Sequence, residues 1–326
     1  MDVRWITPLG VETCTPADLP DLRGRAGGIL WIDLPASDED GLAAIAKTFA
    51  FHPLALRDCH ERNPVPKVHM YGDHAFVVLH GPWQGAGGHV HYVELDQFIG
   101  PGYLVSVHGP VNAAVAPEVM KMETNAVVKR LESGRLCPTT SYDLSYALVG
   151  ALTGRMRDYL AELTKEVWRL EQTVTGGHMG NPEDFLEDLF AARHGLLTIR
   201  TMCGLSGQVY GRMVKVRALG SEGQHRLKDT VDQFGRIGMM ADGQKDYLQG
   251  VIEFYQTRTN TKMTIAAERL AVIAAVTLPV TALSSVLGMN LIVNDRTHYG
   301  GLAAALFVML VMSIMLLAWA KRRGWW

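Results

Sequence analysis

Two long apolar runs near the C-terminal end dominate the pattern of hydrophobic and polar positions. The stretches from Leu270 to Met289 and from Gly300 to Ala320 hold no charged side chain over 20 and 21 residues. A helix of about 20 apolar residues is long enough to cross the hydrocarbon core of a bilayer. The pattern therefore predicts two transmembrane helices, over 264–290 and 300–320, joined by a short loop over 291–299.

The region before these runs has the three- and four-residue periodicity of long helices. One helix is predicted over 141–174, with a capped start at Ser141 and a stop at Gly176-Gly177. A second is predicted from Asn181-Pro182 to about Leu219, because proline is well placed in a first helical turn.

A third helix is predicted from near Glu222 into the first apolar run, and it meets no proline before Pro279. A helix of that length is not stable alone in water, so it must pack against other helices and other copies of the chain. We therefore assign 141–263 to a helical cytoplasmic stalk. Four glycines weaken the third helix locally and indicate either a hinge or close packing: Gly235, Gly238, Gly243 and Gly250.

Residues 1–140 have a different pattern, in which short β-rich runs alternate with helical segments. Four runs bounded by glycine and proline are typical of strands, over 29–34, 74–81, 90–100 and 102–109. Two further segments, over 38–50 and 116–134, have helical periodicity. This part of the chain is predicted to be a cytoplasmic α/β domain with a mixed or largely antiparallel sheet.

Basic residues flank the two apolar runs and are scarce between them. Arg258, Lys262 and Arg269 precede the first run, Lys321, Arg322 and Arg323 follow the second, and the loop carries only Arg296. By the positive-inside rule both termini lie in the cytoplasm and the loop faces outside. The tail over 321–326 ends in two tryptophans, which suit the inner membrane interface. The chain is therefore predicted to be a multi-pass protein of the cell inner membrane.

Composition excludes several classes of function. The net charge of −2 and the pI near 6.6 argue against a nucleic-acid partner. The first ten residues lack the apolar segment of a secretory signal. No nucleotide-binding, zinc-protease or hydrolase motif is present, so the chain is predicted to be neither an ATP-driven pump nor an enzyme. The cysteines are widely spaced and predict free thiols in a reducing compartment; they are Cys14, Cys59, Cys137 and Cys203.

Small and hydroxylated residues interrupt the first apolar run. Counting back from Asn290 in steps close to the helical period gives a stripe of seven positions: Ser285, Thr281, Leu278, Ala274, Leu270, Ala267 and Thr264. Hydroxyls within a membrane bond their own helix, stabilise helix packing or line a wet cavity, and the sequence leaves these alternatives open. One helix cannot enclose a pore, so a channel lined by this stripe needs several copies around an axis.

Four stretches resemble the CorA family of divalent metal-ion transporters, which includes a ZntB-like branch. The first is HPLALRDCHERNPVPKVHMYGDHAFVVL at 52–79, and the second is the start of the helical region at 141–172. The third is TLPVTALSSVLGMN, which ends the first apolar run in Gly-Met-Asn, and the fourth is the tail KRRGWW. Gly-Met-Asn carries most weight here because a short loop and a final apolar run follow it.

The resemblance implies a funnel-shaped homopentamer in the lipid membrane that carries a divalent cation. The long helix would line the pore, with the seven-position stripe facing the ion and the second transmembrane helix outside it. Gly288, Met289 and Asn290 would form the selectivity filter at the outer mouth. A ring of carboxamide oxygens can bind the water shell of Mg²⁺, which loses its water reluctantly. A helix C-cap is the simpler explanation of Gly-x-Asn, and both can hold.

The resemblance also implies a regulatory cation at the boundary between subunits. Asp58 and Glu253 fall on an acidic pair that binds Mg²⁺ in relatives, and Arg57 stands where a second carboxylate is common. In the family pattern, Leu270 and Leu278 fall at positions where rings of apolar side chains narrow the pore. Thr264 and Ala267 depart from the usual residues, which suggests a wider or differently gated inner throat.

The transported ion is left open by the sequence. Mg²⁺ is expected first, with Co²⁺ or Ni²⁺ possible, but the loop lacks the usual Met-Pro-Glu-Leu stretch and leaves room for a ZntB-like, proton-coupled Zn²⁺ transporter. The stripe has no His, Cys or carboxylate that would grip Zn²⁺. A membrane-anchored cytoplasmic sensor or enzyme is the alternative from another class. Histidines near the predicted strands offer a minor metal-sensing alternative: His69, His74, His80, His89 and His91.

Overall fold

A computed structural model describes residues 1–177, 181–214, 220–291 and 299–322. Within these ranges the side chains at 220–222, 287–291 and 302 are not described. The chain divides into two compact units, Met1–Val251 and Ile252–Trp326. Each unit is considered by itself.

The first unit contains a seven-stranded mixed sheet in the order β2-β1-β3-β7-β6-β5-β4. The strands are β1 (Asp2–Thr7), β2 (Gly10–Cys14), β3 (Ile29–Pro35), β4 (Lys67–Tyr71), β5 (His74–Gln84), β6 (Val90–Gly100) and β7 (Tyr103–His108). Strands β3 and β7 pair in parallel, and every other neighbouring pair is antiparallel. The predicted mixed sheet and its four predicted strands are confirmed.

Five helices accompany the sheet: α1 (Leu19–Gly24), α2 (Glu39–Phe49), α3 (Pro53–His60), α4 (Pro117–Met120) and α5 (Met122–Glu132). The sequence predicted a single helix over 116–134, but this segment forms the two helices α4 and α5. Lys121 has φ −97° and ψ 11°, a backbone conformation outside the helical region, and it separates α4 from α5.

The sheet is covered on both faces. On one face, α1, α2 and α3 cover a continuous apolar core. It includes Ile45, Phe76 and Phe98, whose side chains are fully buried. On the other face, the long helix α6 (Ser141–Gly176) crosses the sheet. There the Ser145 hydroxyl donates to Gln97 Oε1 at 2.6 Å, and the Ser141 hydroxyl donates to the Gly100 carbonyl at 2.6 Å. Burial of large apolar side chains on this scale, at about 1.5–3 kcal/mol each, is the main force that holds the layers together.

The start of α6 corrects the predicted cap. Thr140, not Ser141, is the N-cap residue. Its hydroxyl accepts from the Asp143 N–H at 3.1 Å, and the Asp143 carboxylate accepts from the Thr140 N–H at 3.0 Å, so the two residues form a capping box. The helix ends as predicted, because Gly177 takes the left-handed conformation with φ 80°.

Two more helices continue the first unit, α7 (Pro182–Met213) and α8 (Gly220–Leu291). The start of α7 after Asn181 is confirmed, with the Asn181 side chain accepting from the Glu183 N–H at 3.1 Å. Its predicted end near Leu219 is wrong, because the helix ends at Met213. In the first part of α8, Phe234 and Ile237 are buried, and the centroid of the Phe234 ring lies 5.9 Å from that of Tyr210 on α7. Gln233 accepts from the Thr153 hydroxyl of α6 at 3.0 Å.

The glycines of α8 are not explained by close packing within the chain. A Cβ atom added at Gly235, Gly243 or Gly250 would meet no heavy atom within 4 Å. At Gly238 the nearest atom would be Cys203 Cβ at 3.7 Å, an ordinary contact. Gly235, Gly243 and Gly250 therefore lower the helical propensity of α8 without a packing contact to another part of the described chain.

The second unit contains the rest of α8 and helix α9 (Tyr299–Arg322). Both helices are long and apolar enough to cross a membrane. In the most apolar stretch of 18 residues, 6% of the residues of α8 and 0% of those of α9 are buried within the chain. Exposed apolar side chains of this density are unfavourable in water, which agrees with the two predicted transmembrane helices.

Candidate functional site

The seven-position stripe lies on one exposed face of α8. Every one of its residues is exposed in the single chain: Thr264, Ala267, Leu270, Ala274, Leu278, Thr281 and Ser285. At about 100° per residue these positions share one side of the helix. The buried or half-buried residues of the same segment lie on the opposite side; they are Val272, Val276, Pro279, Val280 and Leu283. Between Val272 and Leu283 the helix thus has a partly covered face and an open face, and the stripe lies on the open one; from 261 to 271 every residue is exposed.

The threonine hydroxyls of α8 bond their own helix. Thr264 donates to the Asn260 carbonyl at 3.0 Å, and Thr281 donates to the Thr277 carbonyl at 2.8 Å. Thr277 does the same with the Ile273 carbonyl at 2.8 Å. A hydroxyl that donates in this way still has oxygen lone pairs that can accept. The threonines of the open face therefore offer hydrogen-bond acceptors to water while their own donors are paired.

Gly288, Met289 and Asn290 fall in the last turn of α8, and their side chains lie outside the described residues. Asn290 follows Ser285 by five residues, a step of about 140° beyond one turn of an ideal helix. The prediction that Asn290 continues the stripe at helical spacing is therefore imprecise. The external loop over 292–298 and the tail over 323–326 also lie outside the described residues.

Asp58 is positioned by the short helix α3. His52 caps this helix, with Nδ1 accepting from the Leu54 N–H at 3.2 Å, and Pro53 occupies its first position. Asp58 lies in the last turns, and its carboxylate contacts Lys67 Nζ on β4 at 2.6 Å. The two side chains are only 16% and 25% exposed. Asp58 is therefore already paired with a cation of its own chain, which the sequence analysis missed.

Glu253 is an exposed residue of α8 in the second unit. Its backbone carbonyl accepts from the Thr257 hydroxyl at 2.9 Å, one turn further along the helix. Asp58 belongs to the first unit. The two acids thus belong to different units, and their meeting across a subunit boundary stays a prediction.

The donor set around Asp58 is incomplete for a metal within one chain. Mg²⁺ prefers six oxygen ligands, several of them waters held by carboxylates. Across the described part of the chain, no group of three His, Cys, Asp or Glu residues could hold a metal ion. Arg57, beside Asp58, adds a second positive charge and contacts Glu61 at 3.8 Å. Within one chain, the Asp58 carboxylate thus contacts an ammonium group, and the described residues supply no set of three ligands around it.

Two buried acids on β6 lie beneath the end of α3. Glu94 Oε2 accepts from the Asn63 backbone N–H at 3.0 Å, and Glu94 Oε1 accepts from the Asn63 side chain at 2.6 Å. The Asn63 side chain also donates to the Asp58 carbonyl at 2.8 Å. Burial and the neighbouring Glu94 raise the pKa of Asp96 well above its ordinary value, which favours its protonated form. Burial likewise raises the pKa of the Cys59 thiol, which makes it unreactive.

The histidines of the first unit do not form a metal-sensing site among the described residues. His74 and His80 are buried, at 6% and 1% exposure. The rings of His89 and His91 meet edge to face with their centroids 4.7 Å apart. The described structure therefore supplies no third ligand beside this pair.

Comparisons with known proteins agree over nearly the whole chain. The family model of the CorA-like Mg²⁺ transporter protein matches residues 26–322. The Bacillus subtilis (strain 168) protein YfjQ is 22% identical over 304 residues, which cover 90% of this chain and 89% of YfjQ. The cobalt/magnesium transport protein CorA of Thermotoga maritima is 20% identical over 303 residues, which cover 90% of this chain and 83% of that protein.

A solved structure has the same fold. The complete structure of the CorA magnesium transporter from Methanocaldococcus jannaschii matches with a TM-score of 0.82 and 14% identity. The match covers 100% of this chain and 99% of that chain. At this low identity the likeness shows a shared fold and says nothing of the ion that this chain carries.

Proposed function

Because the chain belongs to the CorA-like Mg²⁺ transporter family, we propose that it conducts Mg²⁺ across the cytoplasmic membrane through a pore formed by five copies of α8. Members of this family are divalent metal-ion transporters and not enzymes, which confirms both predictions for this chain. The alternative of a membrane-anchored cytoplasmic enzyme or sensor is therefore wrong.

The observation that carries the proposal is the open face of α8. The stripe from Thr264 to Ser285 is exposed, and between Val272 and Leu283 the residues on the opposite side of the helix are buried or half-buried. In a ring of five chains with the stripes inward, α9 stands outside α8 and meets the lipid. Leu306 and Phe307 of α9 are 58% and 66% exposed, which suits a surface in contact with acyl chains.

Ion selection takes place at the outer mouth, at a ring of Asn290 side chains next to Gly288 and Met289. Carboxamide oxygens accept hydrogen bonds from the water shell of the ion, so the ion keeps its water and enters without strong binding. Below the ring, the hydroxyls of Thr281 and Ser285 offer further acceptors to that shell. Leu270 and Leu278, each 67% exposed in one chain, narrow the pore with apolar rings.

Mg²⁺ is the ion that the described stripe suits best, with Co²⁺ and Ni²⁺ as further cargo. The stripe offers hydroxyl oxygens and apolar groups, and it contains no imidazole, thiolate or carboxylate that would bind dehydrated Zn²⁺. Both termini are cytoplasmic, because the basic flanks of α8 and α9 lie on that side of the inner membrane.

Cytoplasmic cation regulates flux by bridging Asp58 of one subunit and Glu253 of the next. Two carboxylates that meet at a subunit boundary repel each other unless a cation lies between them, so the bound ion favours the closed ring. Exposed apolar side chains beside Asp58 support a subunit contact at this surface: Leu54 is 48% and Val65 is 47% exposed.

Flux measurements on the full-length protein in liposomes test the proposed cargo. Mg²⁺, Co²⁺, Ni²⁺ and Zn²⁺ are supplied separately to matched vesicles, with and without an imposed proton gradient. We expect Mg²⁺ flux that does not depend on the proton gradient. Zn²⁺ flux that requires the gradient, with no Mg²⁺ flux, would establish the ZntB-like alternative and contradict the proposal.

A further inference from the structure

Lys67 occupies the position that a regulatory cation would have to take. Its Nζ atom lies 2.6 Å from Asp58 Oδ2, a hydrogen bond between two opposite charges. Both side chains are more than two-thirds buried. Such a bond is stronger than one on an open surface, because water screens it less.

The surrounding structure holds this pair in place. Asp58 is on α3 and Lys67 is on β4, and Asn63 lies in the segment between them. Asn63 donates to the Asp58 carbonyl at 2.8 Å and is itself held by the buried Glu94 carboxylate. The bond between Asp58 and Lys67 therefore costs little additional ordering of the backbone.

The charges around Asp58 also disfavour a free divalent cation. Lys67 and Arg57 bring two positive charges to a surface where Asp58 and Glu61 supply two negative ones. Of the two buried acids below, Asp96 has a raised pKa because of its burial and of Glu94, and Glu94 accepts a hydrogen bond from Asn63. At this surface the two positive and two negative charges of these four side chains balance.

We propose that Lys67 is a tethered counter-ion that competes with the cytoplasmic divalent cation for Asp58. The cation binds only by displacing the Lys67 ammonium group, so the Asp58–Lys67 bond sets the cation concentration at which the closed ring is favoured. This inference rests on the proposed regulatory role of Asp58. It adds that Lys67 sets the affinity of Asp58 for the regulatory cation. The wild-type chain thus responds to cation at a higher concentration than a chain without the lysine charge.

The test uses the full-length protein in detergent and reads binding apart from transport. The thermal unfolding midpoint is followed against MgCl₂ concentration, because a ligand that binds only the folded state raises this midpoint as it saturates. Lys67→Met keeps the aliphatic stem and removes the charge. We expect its half-saturating Mg²⁺ concentration to be about tenfold lower than that of the wild type. Lys67→Gln repeats the measurement in case the Met variant folds poorly.

Three control variants separate the possible explanations. Lys67→Arg keeps the pair and should respond like the wild type. Lys47→Met removes a charge from an exposed lysine of α2 and should change nothing. The double variant Lys67→Met with Asp58→Asn should not show the lower half-saturating Mg²⁺ concentration that we expect for Lys67→Met alone.

Two results would overturn the inference, and they differ. If Asp58→Asn abolishes the Mg²⁺ response while Lys67→Met and Lys67→Gln stay within about twofold of the wild type, Asp58 is the regulatory site and Lys67 does not compete there. If Asp58→Asn leaves the Mg²⁺ response intact, the regulatory role of Asp58 fails and the role of Lys67 fails with it. Neither result decides whether the proposed pore carries Mg²⁺, because Mg²⁺ flux is measured in a separate experiment.

Discussion

Asp143 joins the first turn of α6 to the helix that continues into the membrane. Its carboxylate accepts from the Thr139 N–H at 2.9 Å and from the Thr139 hydroxyl at 2.7 Å, in addition to its part in the capping box with Thr140. It also pairs with Arg226 on α8. Burial alone would raise the pKa of Asp143, but the hydrogen bonds from Thr139 and the charge of Arg226 outweigh burial and lower it.

Replacement of this carboxylate should weaken the helical bundle. Asp143→Asn keeps the size of the side chain but removes the charge, so we expect a loss of about 1–2 kcal/mol in the free energy of unfolding. Because the folded-state pKa is lowered, the contribution of Asp143 is complete above the ordinary pKa of about 4 and is lost as the pH falls through the folded value. Thermal unfolding of the wild type and the variant between pH 3 and pH 7 measures both effects.

The matched control is Asp158→Asn, which alters an exposed aspartate of the same helix. Its stability should remain close to that of the wild type across the pH range. A stability difference between wild type and Asp143→Asn that stays constant down to the lowest pH would contradict the role given to the charge.

At the scale of elements, the exposed glycines of α8 are the clearest departure from a regular helix. A methyl group at Gly235 would have open space around it. Since alanine favours helix over glycine by about 1 kcal/mol, Gly235→Ala should raise the free energy of unfolding by up to that amount. Thermal unfolding of the purified protein measures the change.

Gly195→Ala on α7 serves as the comparison for this prediction. There the new methyl group would lie 2.7 Å from Leu163 Cδ2 and from the Tyr159 hydroxyl, so we expect a loss of stability. A loss at Gly235 as well would mean that a helix of another subunit packs against it, and the glycine would then serve close packing in the assembly.

The elements that the sequence predicted are those with a strong local signal. The glycine stop of α6 and the proline start of α7 are set by the backbone preferences of single residues. Strands β1, β2 and β4 were missed. Strands β2 and β4 are edge strands without a buried side chain, and β1 is a short strand at the start of the chain whose buried residues include Val3 and Trp5. Their place in the sheet depends on pairing with distant strands, which no short window of sequence contains.

The region around Asp58 was predictable only in part. The stretch 52–79 indicated Asp58 through its resemblance to a family, but Lys67 drew no attention because the pair joins a helix to a strand nine residues later. Glu94 and Asp96 alternate along β6, a pattern that usually indicates a solvent-facing side of a strand. The end of α3 covers that side and buries both acids, and this contact is set by tertiary packing.

At the scale of the whole molecule, the described parts of α8 and α9 in the second unit leave most of their apolar surface uncovered. Lipid can cover the apolar face of α9, but it offers no hydrogen-bond donor to the hydroxyl oxygens of the α8 stripe. Association of several copies with the stripes inward gives those oxygens an aqueous pore to line. We therefore expect the detergent-purified protein to have five times the chain mass of 35.9 kDa.

Mass photometry under mild detergent conditions measures this assembly. The expected species is a homopentamer, and it should persist on dilution because the interface involves the long helix of every subunit. A monomer or a dimer under the same conditions would leave the stripe without a pore and would contradict the proposed arrangement.

Flux through an Asn290→Ala variant tests the central claim most directly. One substitution removes five carboxamides from the ring at the outer mouth, while the loss of a helix-end side chain should cost no more than about 1 kcal/mol in stability. Asn125→Ala, at an exposed position of α5, is the matched control and should transport like the wild type. Mg²⁺ flux is measured in liposomes with equal amounts of protein whose pentameric mass has been verified. We expect the flux of Asn290→Ala to be abolished or strongly reduced, and undiminished flux through a correctly assembled Asn290→Ala pentamer would contradict the assignment of the selectivity filter.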